Sequence, residues 1–233
     1  MNFVIQDSIF EKLPDLCVGV VAAKGIDNSG PHPEIDRLLD DAIALAEERF
    51  SGKRVKEEPE ILPYREAFQA LGINPNKYMC SIEALISRIA KKKGMPCINP
   101  LVDLNNAISI KYSLPMGTHD IDTMKDDLLV RFALPEDTFI PFGETETEHP
   151  EEHELVYVSG HEVRTRRWTW RQSEIGKITE DTRSVFFPID GFTDINRDRV
   201  LRARDELAEL LVKHFGVSLK VGFVDRDNPE TEL

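Results

Sequence analysis

Apolar residues recur at intervals of three and four positions in five stretches of the chain, which is the pattern of amphipathic helices. The predicted helices cover residues 33–50, 64–71, 81–93, 100–113 and 196–215. Proline stands at the start of three of them, at positions 33, 63 and 100, where its missing N–H has no helical partner to lose. Glycine follows the helix ends at positions 72, 94 and 216. The sequence therefore predicts the helical part of the fold directly.

Shorter apolar runs, some alternating with polar residues, predict strands between and after these helices. They cover residues 16–23, 128–134, 154–159, 163–171, 183–190 and 217–224. The last nine residues carry no clear pattern, and we expect a frayed end there. Helices come first, strands dominate the middle, and one helix and one strand come last. This order favours an α+β fold over a doubly wound sheet.

The 233 residues carry a formal net charge of −13 and are 41% hydrophobic, as in a globular protein large enough to bury a core. The negative charge argues against binding nucleic acid over the whole surface, so such a contact needs a local basic patch, and we expect no DNA partner. Three scattered cysteines indicate reduced thiols. Because no apolar run reaches the ~18 residues of a membrane span and no signal peptide opens the chain, we predict a cytoplasmic protein without a membrane partner.

Polar and ionisable groups crowd the loop that follows the fourth predicted helix. The helix carries Asn105 and Asn106 beside its apolar stripe, and Thr118, His119 and Asp120 come directly after a Pro-Met-Gly turn. A histidine beside an aspartate suggests metal or acid–base chemistry, but no further ligands stand nearby at a regular spacing. We therefore predict a polar pocket wall and no metal. A helix cap is the plainest alternative for the acid at position 122.

Four arginines and both tryptophans of the chain lie within residues 164–172. A single strand here would place both tryptophans and Gln172 on one face, and Arg167 and Arg171 on the other. Guanidinium groups pair with phosphates, and indole rings stack on bases or on a ribose. The alternative is a surface strand stabilised by cation–π contacts.

The remaining polar clusters have plain structural explanations. Residues 144–154 contain six glutamates, which predicts a solvated, mobile loop. His149 and His153 lie within it four residues apart, but beside a proline they do not fit a helical metal site. The three lysines at 91–93 either end a helix or form a phosphate patch. No glycine-rich phosphate loop or serine-nucleophile motif is present, and no cysteine has a histidine at a recognised spacing.

Five segments taken in order resemble the B3/B4 tRNA-binding domain, which is the editing domain of the phenylalanyl-tRNA synthetase β subunit. They are LPYREAF (62–68), SIEALISRIAKKKGMPCINPLVDLNN (81–106), SLPMGTHDID (113–122), LLVRFA (128–133) and RRWTWRQ (166–172). The resemblance covers about residues 60–215. It implies an α+β fold of mixed or antiparallel β-sheets flanked by helices. We expect one such domain over residues 1–233, with 1–59 as a strand–helix extension.

In the synthetase this domain hydrolyses the ester of a mischarged tRNA, so the resemblance implies a trans-acting aminoacyl-tRNA deacylase without cofactor or metal. Carried over by position, Asn105, Asn106, Gly117, Thr118 and His119 would line the pocket. The two asparagines would orient the amino acid or the terminal ribose. Thr118 and His119 would position water or polarise the ester, since an activated ester needs orientation and charge stabilisation more than a protein nucleophile.

The segment 166–172 would replace a small, glycine-rich wall of the synthetase pocket. Arg167, Trp168 and Arg171 would hold the terminal adenosine and its phosphates, and Gln172 would line the same wall. The lysines at 91–93 would touch the acceptor stem of the tRNA.

Two positions depart from the synthetase pattern. The residue directly after Pro-Met is Gly117 where the synthetase has a histidine, and His119 follows two positions later. The acid that reads a tyrosine hydroxyl in the synthetase falls near Pro188, with Asp190 two residues further on.

Two other classes of function stay open. A non-catalytic module would bind RNA or a small amino-acid-like ligand, and the polar pocket favours the small ligand. A metal hydrolase is the third class, which metal analysis distinguishes from the others.

Overall fold

Two β-sheets and six α-helices build the protein, and the computed structural model describes residues 1–233. The helices are α1 (Asp7–Phe10), α2 (Pro33–Phe50), α3 (Leu62–Ala70), α4 (Ser81–Ala90), α5 (Pro100–Tyr112) and α6 (Arg197–Phe215). The strands are β1 (Asn2–Ile5), β2 (Leu16–Lys24), β3 (His119–Asp120), β4 (Leu128–Phe132), β5 (Leu155–Ser159), β6 (Glu162–Arg166), β7 (Arg171–Gln172), β8 (Ser184–Phe192), β9 (Ser218–Val224) and β10 (Glu230–Glu232). The α+β prediction is confirmed.

The four-stranded sheet has the order β3-β8-β2-β9 with every pair antiparallel. Helix α6 packs closely on it because two of the residues beneath the helix are glycines. A Cβ on Gly19 would lie 2.9 Å from Val200 Cγ1, and a Cβ on Gly191 would lie 2.4 Å from Val200 Cγ2. Val200 therefore fills the space that larger residues in β2 and β8 would occupy.

The six-stranded sheet has the order β10-β1-β4-β5-β6-β7 and is mixed, since β1 and β4 run parallel. The predicted frayed end is wrong. The C-terminal strand β10 pairs with β1, and the buried Leu233 donates its N–H to the carbonyl of Met1 at 3.0 Å. Strand β1, which the apolar pattern did not predict, offers an edge that the last residues cover.

Helix α5 shows how the sequence determines one element. Pro100 occupies its first turn, and Asn99 caps it by accepting a hydrogen bond from the N–H of Val102 at 3.1 Å. The apolar stripe of α5 is buried between α2 and α6. Its side chains belong to a continuous apolar cluster that also includes residues of both sheets, from Phe3 to Leu233.

The helix predictions hold with small shifts at the ends, and α2 begins and ends where expected. The strand predicted over residues 163–171 is wrong, because the chain forms the hairpin β6–β7 with a turn at 167–170. No helix is both long and apolar enough to cross a membrane.

Candidate functional site

The Pro-Met-Gly bend after α5 lies along the central strand β8. Ser113 ends the helix in the left-handed conformation, with φ 51° and ψ 51°. The bend is then fixed by backbone hydrogen bonds, from the N–H of Gly117 to the carbonyl of Pro188 at 3.1 Å and from the N–H of Asp190 to the carbonyl of Pro115 at 3.0 Å. The residues after the bend continue as β3, which places His119 on the same sheet.

One buried carboxylate organises the turn of the β6–β7 hairpin. Arg167 and Trp168 have φ values of 46° and 60°, which non-glycine residues rarely adopt. Glu154 Oε1 accepts from the backbone N–H of Arg167 at 3.0 Å, and both Glu154 oxygens accept from the Arg166 guanidinium at 2.9 Å. The N–H of Trp168 donates to the carbonyl of Leu155 at 2.7 Å. Contacts from β5 and the residue before it therefore stabilise a turn that the local sequence disfavours.

A cavity of about 90 Å³ lies between the bend and this hairpin. Met116, Gly117 and His119 line it from the bend, and Thr165 and residues 168–172 line it from the hairpin. The bend and the hairpin were expected to lie together, and the fold brings them together. Gln172 ties them together, because its Nε2 donates to the carbonyl of Thr118 at 2.6 Å.

Asp190 is the acid of the cavity. Its Oδ1 accepts hydrogen bonds from Tyr157 OH and from Trp168 Nε1, each at 2.7 Å, and Tyr64 OH donates to its backbone carbonyl at 3.0 Å. No group of the chain donates to Oδ2. Burial raises the pKa of Asp190 to about 7, and the two donors to Oδ1 act in the opposite direction. A carboxyl group that changes charge near neutral pH therefore faces the cavity.

His119 supplies a neutral imidazole beside that acid. Its ring stacks against Tyr157 and Phe186, with centroid distances of 5.7 and 6.0 Å, and its Nδ1 has no hydrogen-bond partner. Burial, with a smaller effect from the Arg164 guanidinium, lowers the pKa of His119 to about 3. At neutral pH the ring therefore carries one N–H donor and one acceptor nitrogen.

Five of the expected site residues line the cavity, namely Gly117, His119, Trp168, Arg171 and Gln172. Thr118 lies between two of them and contacts Gln172 through its carbonyl. Trp168 has no exposed surface, so neither face of its indole is free to stack on an adenosine. It instead forms the inner wall.

The other three expected residues lie outside the cavity. Asn105 is buried in α5 with its side-chain oxygen unpaired, and Asn106 is half-buried on the same helix. The Arg167 guanidinium lies over the Tyr78 ring at 4.0 Å and over the Trp170 ring at 4.9 Å. It contacts aromatic rings of the chain where we expected a phosphate.

The acidic segment 144–154 is exposed to solvent as predicted, except for the buried Glu154, but several of its carboxylates form ion pairs. Its carboxylates pair with the hairpin arginines: Glu144 with Arg171, Glu148 and Glu154 with Arg166, and Glu151 with Arg167. These pairs neutralise the positive charge that the sequence offered for phosphate binding. The sequence did not assign the cavity residues Tyr157 and Asp190 to the site, although the acid two residues after Pro188 was the available signal.

One group of possible metal ligands lies elsewhere, at Asp36, Cys97 and Asp103, whose ligand atoms are within 4.8 Å of one another. Both carboxylate oxygens of Asp103 already accept from the N–H of Ile98, at 3.0 and 3.1 Å. This hydrogen bond explains the position of Asp103 without an ion.

Comparison with known proteins places this geometry in context. The family model described as the B3/4 domain matches residues 63–216. An N-terminal fragment of the phenylalanyl-tRNA synthetase β subunit from Pyrococcus horikoshii superposes with a TM-score of 0.51 at 12% identity, over 93% of this chain. The chain spans 49% of that fragment, so the likeness shows the fold alone. No curated protein matched the sequence.

Proposed function

The chain belongs to the B3/4 domain family, and from that premise we propose that it binds tRNA and hydrolyses the ester of mischarged aminoacyl-tRNA in trans, in the cytoplasm. The observation that carries the proposal is the cavity between the Pro-Met-Gly bend and the β6–β7 hairpin. It brings a buried imidazole and a buried carboxyl group to one place, within the residues that the family model matches.

An aminoacyl ester is already activated towards hydrolysis. A site that holds the ester and a water molecule in the reactive orientation therefore supplies most of the catalysis required. His119 is neutral at neutral pH because burial lowers its pKa to about 3, so it positions a water by hydrogen bonding more than it removes a proton. Thr118, whose carbonyl accepts from the cavity residue Gln172, is the second group proposed to position that water, or to polarise the ester. Asn105 and Asn106 have no part in this proposal, since they lie away from the cavity.

A tRNA contact surface extends from the cavity along α4. Ser81, the first residue of α4, lines the cavity, and its N–H donates to the carbonyl of Thr169 in the hairpin at 2.8 Å. A helix of this length carries the chain about 15 Å further to its other end. The lysines at 91–93 are exposed there and form no ion pair, which leaves their charges free for phosphates.

The test is deacylation of a panel of mischarged tRNAs by purified protein in the presence of a chelator. We expect turnover of at least one ester, and a loss of at least about tenfold in His119→Phe, which keeps ring stacking and removes both nitrogens. His32→Phe is the matched control, because His32 also stacks on an aromatic ring, Phe215, outside the cavity. A folded protein that cleaves none of the esters would refute the proposal.

A non-catalytic binding module is the second candidate, and one observation favours it. An imidazole with a pKa of about 3 is a weak proton acceptor, which suits ligand binding better than proton transfer. A thermal shift with free amino acids that is independent of salt, without tRNA affinity or turnover, would favour this candidate.

A further inference from the structure

We propose that the cavity accepts a small side chain ending in a hydroxyl group, so that the substrates are esters of serine or threonine and aromatic amino acids are excluded. This inference rests on the proposed deacylase function and names its substrate class. Two independent features of the cavity carry it, namely its size and the Oδ2 atom of Asp190, which accepts no hydrogen bond from the chain.

The size of the cavity disfavours an aromatic ring. Its volume is about 90 Å³, whereas an engineered protein cavity that binds benzene has about 150 Å³. The ester bond must stay near the mouth because it remains attached to the tRNA, so the amino-acid side chain is the part that enters. A side chain of two or three non-hydrogen atoms fits this space without displacing the walls.

The walls are held in place and cannot retreat easily. Trp168 is packed among the rings of Tyr64, Phe68 and Phe192, with centroid distances of 6.0, 6.1 and 5.9 Å. Its indole N–H is fixed by Asp190. Trp170, on the outer side, contacts the Tyr78 ring edge-on at 4.8 Å. Rearranging this cluster to admit a phenyl ring would break several aromatic contacts and a buried hydrogen bond.

The Asp190 carboxyl group in the cavity favours a ligand with a hydrogen-bond donor. Asp190 is 2% exposed and lines the cavity, and its Oδ1 already accepts two hydrogen bonds while Oδ2 accepts none from the chain. Because Oδ2 faces the cavity, an apolar ligand group would separate it from water without supplying a partner, which is costly, whereas a ligand hydroxyl forms a hydrogen bond with it in either protonation state of the carboxyl. Lysine and arginine side chains carry donors but are too long for the volume, whereas alanine fits and leaves Oδ2 unpaired.

The cation that lines the cavity does not form a hydrogen bond with Asp190. Arg171 lines the cavity, but its guanidinium donates to Glu144 at 3.0 Å. His119 is neutral and stacked on Tyr157, with no hydrogen bond to Asp190. Asp190 therefore favours a ligand that supplies a hydrogen-bond donor itself.

The experiment compares single-turnover deacylation of one tRNA carrying serine, threonine, alanine, phenylalanine or tyrosine. We expect a serine or threonine ester to react about 100-fold faster than the aromatic esters, and at least about tenfold faster than alanine, as sites built around a substrate hydroxyl discriminate. Faster or equal turnover of an aromatic ester would overturn this inference and leave the deacylase proposal standing. Turnover of no ester would refute both, and equal rates for serine and alanine would refute the role of the hydroxyl.

Two variants test the features separately. Asp190→Asn keeps an acceptor for Tyr157 and Trp168 but places N–H₂ where Oδ2 stands, so we expect the serine-to-alanine rate ratio to fall towards one. Trp170→Ala widens the mouth, and the phenylalanine-to-serine ratio should rise at least about tenfold. Asp41→Asn, on the exposed side of α2, is the control and should leave both ratios unchanged. An unchanged serine-to-alanine ratio in a folded Asp190→Asn protein, or an unchanged phenylalanine-to-serine ratio in Trp170→Ala, would contradict the inference.

Discussion

Trp168 Nε1 donates a hydrogen bond of 2.7 Å to Asp190 Oδ1, and this contact joins the hairpin turn to the central strand β8. The tryptophan lies in the turn between β6 and β7 of the larger sheet, and the aspartate lies in β8 of the smaller one. The hydrogen bond therefore fixes the distance between the two sheets at the position of the cavity. It also holds the Asp190 carboxyl group in one orientation.

Removing the indole N–H of Trp168 should lower the free energy of unfolding. Trp168→Phe keeps an aromatic ring but removes the N–H, and a hydrogen bond to a charged group contributes about 1.5–3 kcal/mol. We expect the free energy of unfolding in urea to fall by about 2–3 kcal/mol at neutral pH. Trp170→Phe is the matched control, because the half-buried Trp170 indole N–H forms no hydrogen bond within the chain, and its loss should be below about 1 kcal/mol. Equal losses in the two variants would contradict the assignment.

The hairpin turn should depend on the charge of Glu154. Glu154→Gln keeps the shape of the side chain but leaves the buried Arg166 guanidinium with only the exposed Glu148 as its ion-pair partner. Removing one partner of a buried pair costs about 3–5 kcal/mol. We expect a loss of about 3 kcal/mol in the free energy of unfolding. Glu152→Gln, in the same segment but with an exposed side chain, should change it by less than about 0.5 kcal/mol. A similar effect of both changes would show that Glu154 does not organise the turn.

The free energy of unfolding should depend on pH because Asp190 titrates. Burial raises the pKa of this carboxyl from 3.8 to about 7. Between these values the native state holds a proton that the unfolded state releases. The contribution of Asp190 to stability is therefore greatest at low pH and falls as pH rises through 7, by up to about 1.4 kcal/mol per pH unit.

Asp190→Asn removes this titration and keeps an acceptor for the two donors. Urea unfolding between about pH 5 and pH 8 should show the variant gaining stability relative to the wild type as pH rises. Asp41→Asn should show a constant difference over the same range. A stability difference between Asp190→Asn and the wild type that stays constant over this range would mean that the native carboxyl is ionised throughout it.

The lysines at the end of α4 should contribute to tRNA affinity through charge alone. Changing Lys91, Lys92 and Lys93 to Gln should weaken tRNA binding and reduce the slope of log affinity against log salt by about 2, measured by filter binding. The control changes Lys12, Lys56 and Lys125 to Gln, which alters the net charge equally at other exposed positions. Equal slopes in the two triple variants would locate the tRNA surface elsewhere.

The sequence alone was sufficient to predict the helices and turns that depend on residues close together in the chain. Helix α2 follows from a proline at its first position and an apolar stripe that continues to Phe50. The bend after α5 follows from Pro115 and Gly117, and the cavity was expected at this bend. Periodicity, caps and turn residues act over a few positions, so a single chain segment reveals them.

The sequence was insufficient where a distant partner decides the conformation. The alternating pattern over 163–171 predicts one strand, but Glu154 stabilises left-handed residues in its middle. The polar residue Asn105 suggested a site on α5, but the packing of that helix turns it away from the cavity. Asp190 lies within a predicted strand, and only the fold brings Tyr157 and Trp168 to it. These outcomes depend on tertiary contacts that spacing does not encode.

The most direct test of the whole account is the single-turnover rate of Gly117→Ala. A Cβ at this position would lie 3.4 Å from His119 Nε2 and 3.3 Å from Pro188 Cγ, and the backbone there is not in the left-handed region, so alanine is accommodated with a small adjustment. The added methyl group narrows the space in front of the imidazole. We predict that the free energy of unfolding changes by less than about 1 kcal/mol while deacylation slows at least about tenfold. An equally stable variant that deacylates its substrate at the wild-type rate would contradict the claim that this cavity is the site of reaction.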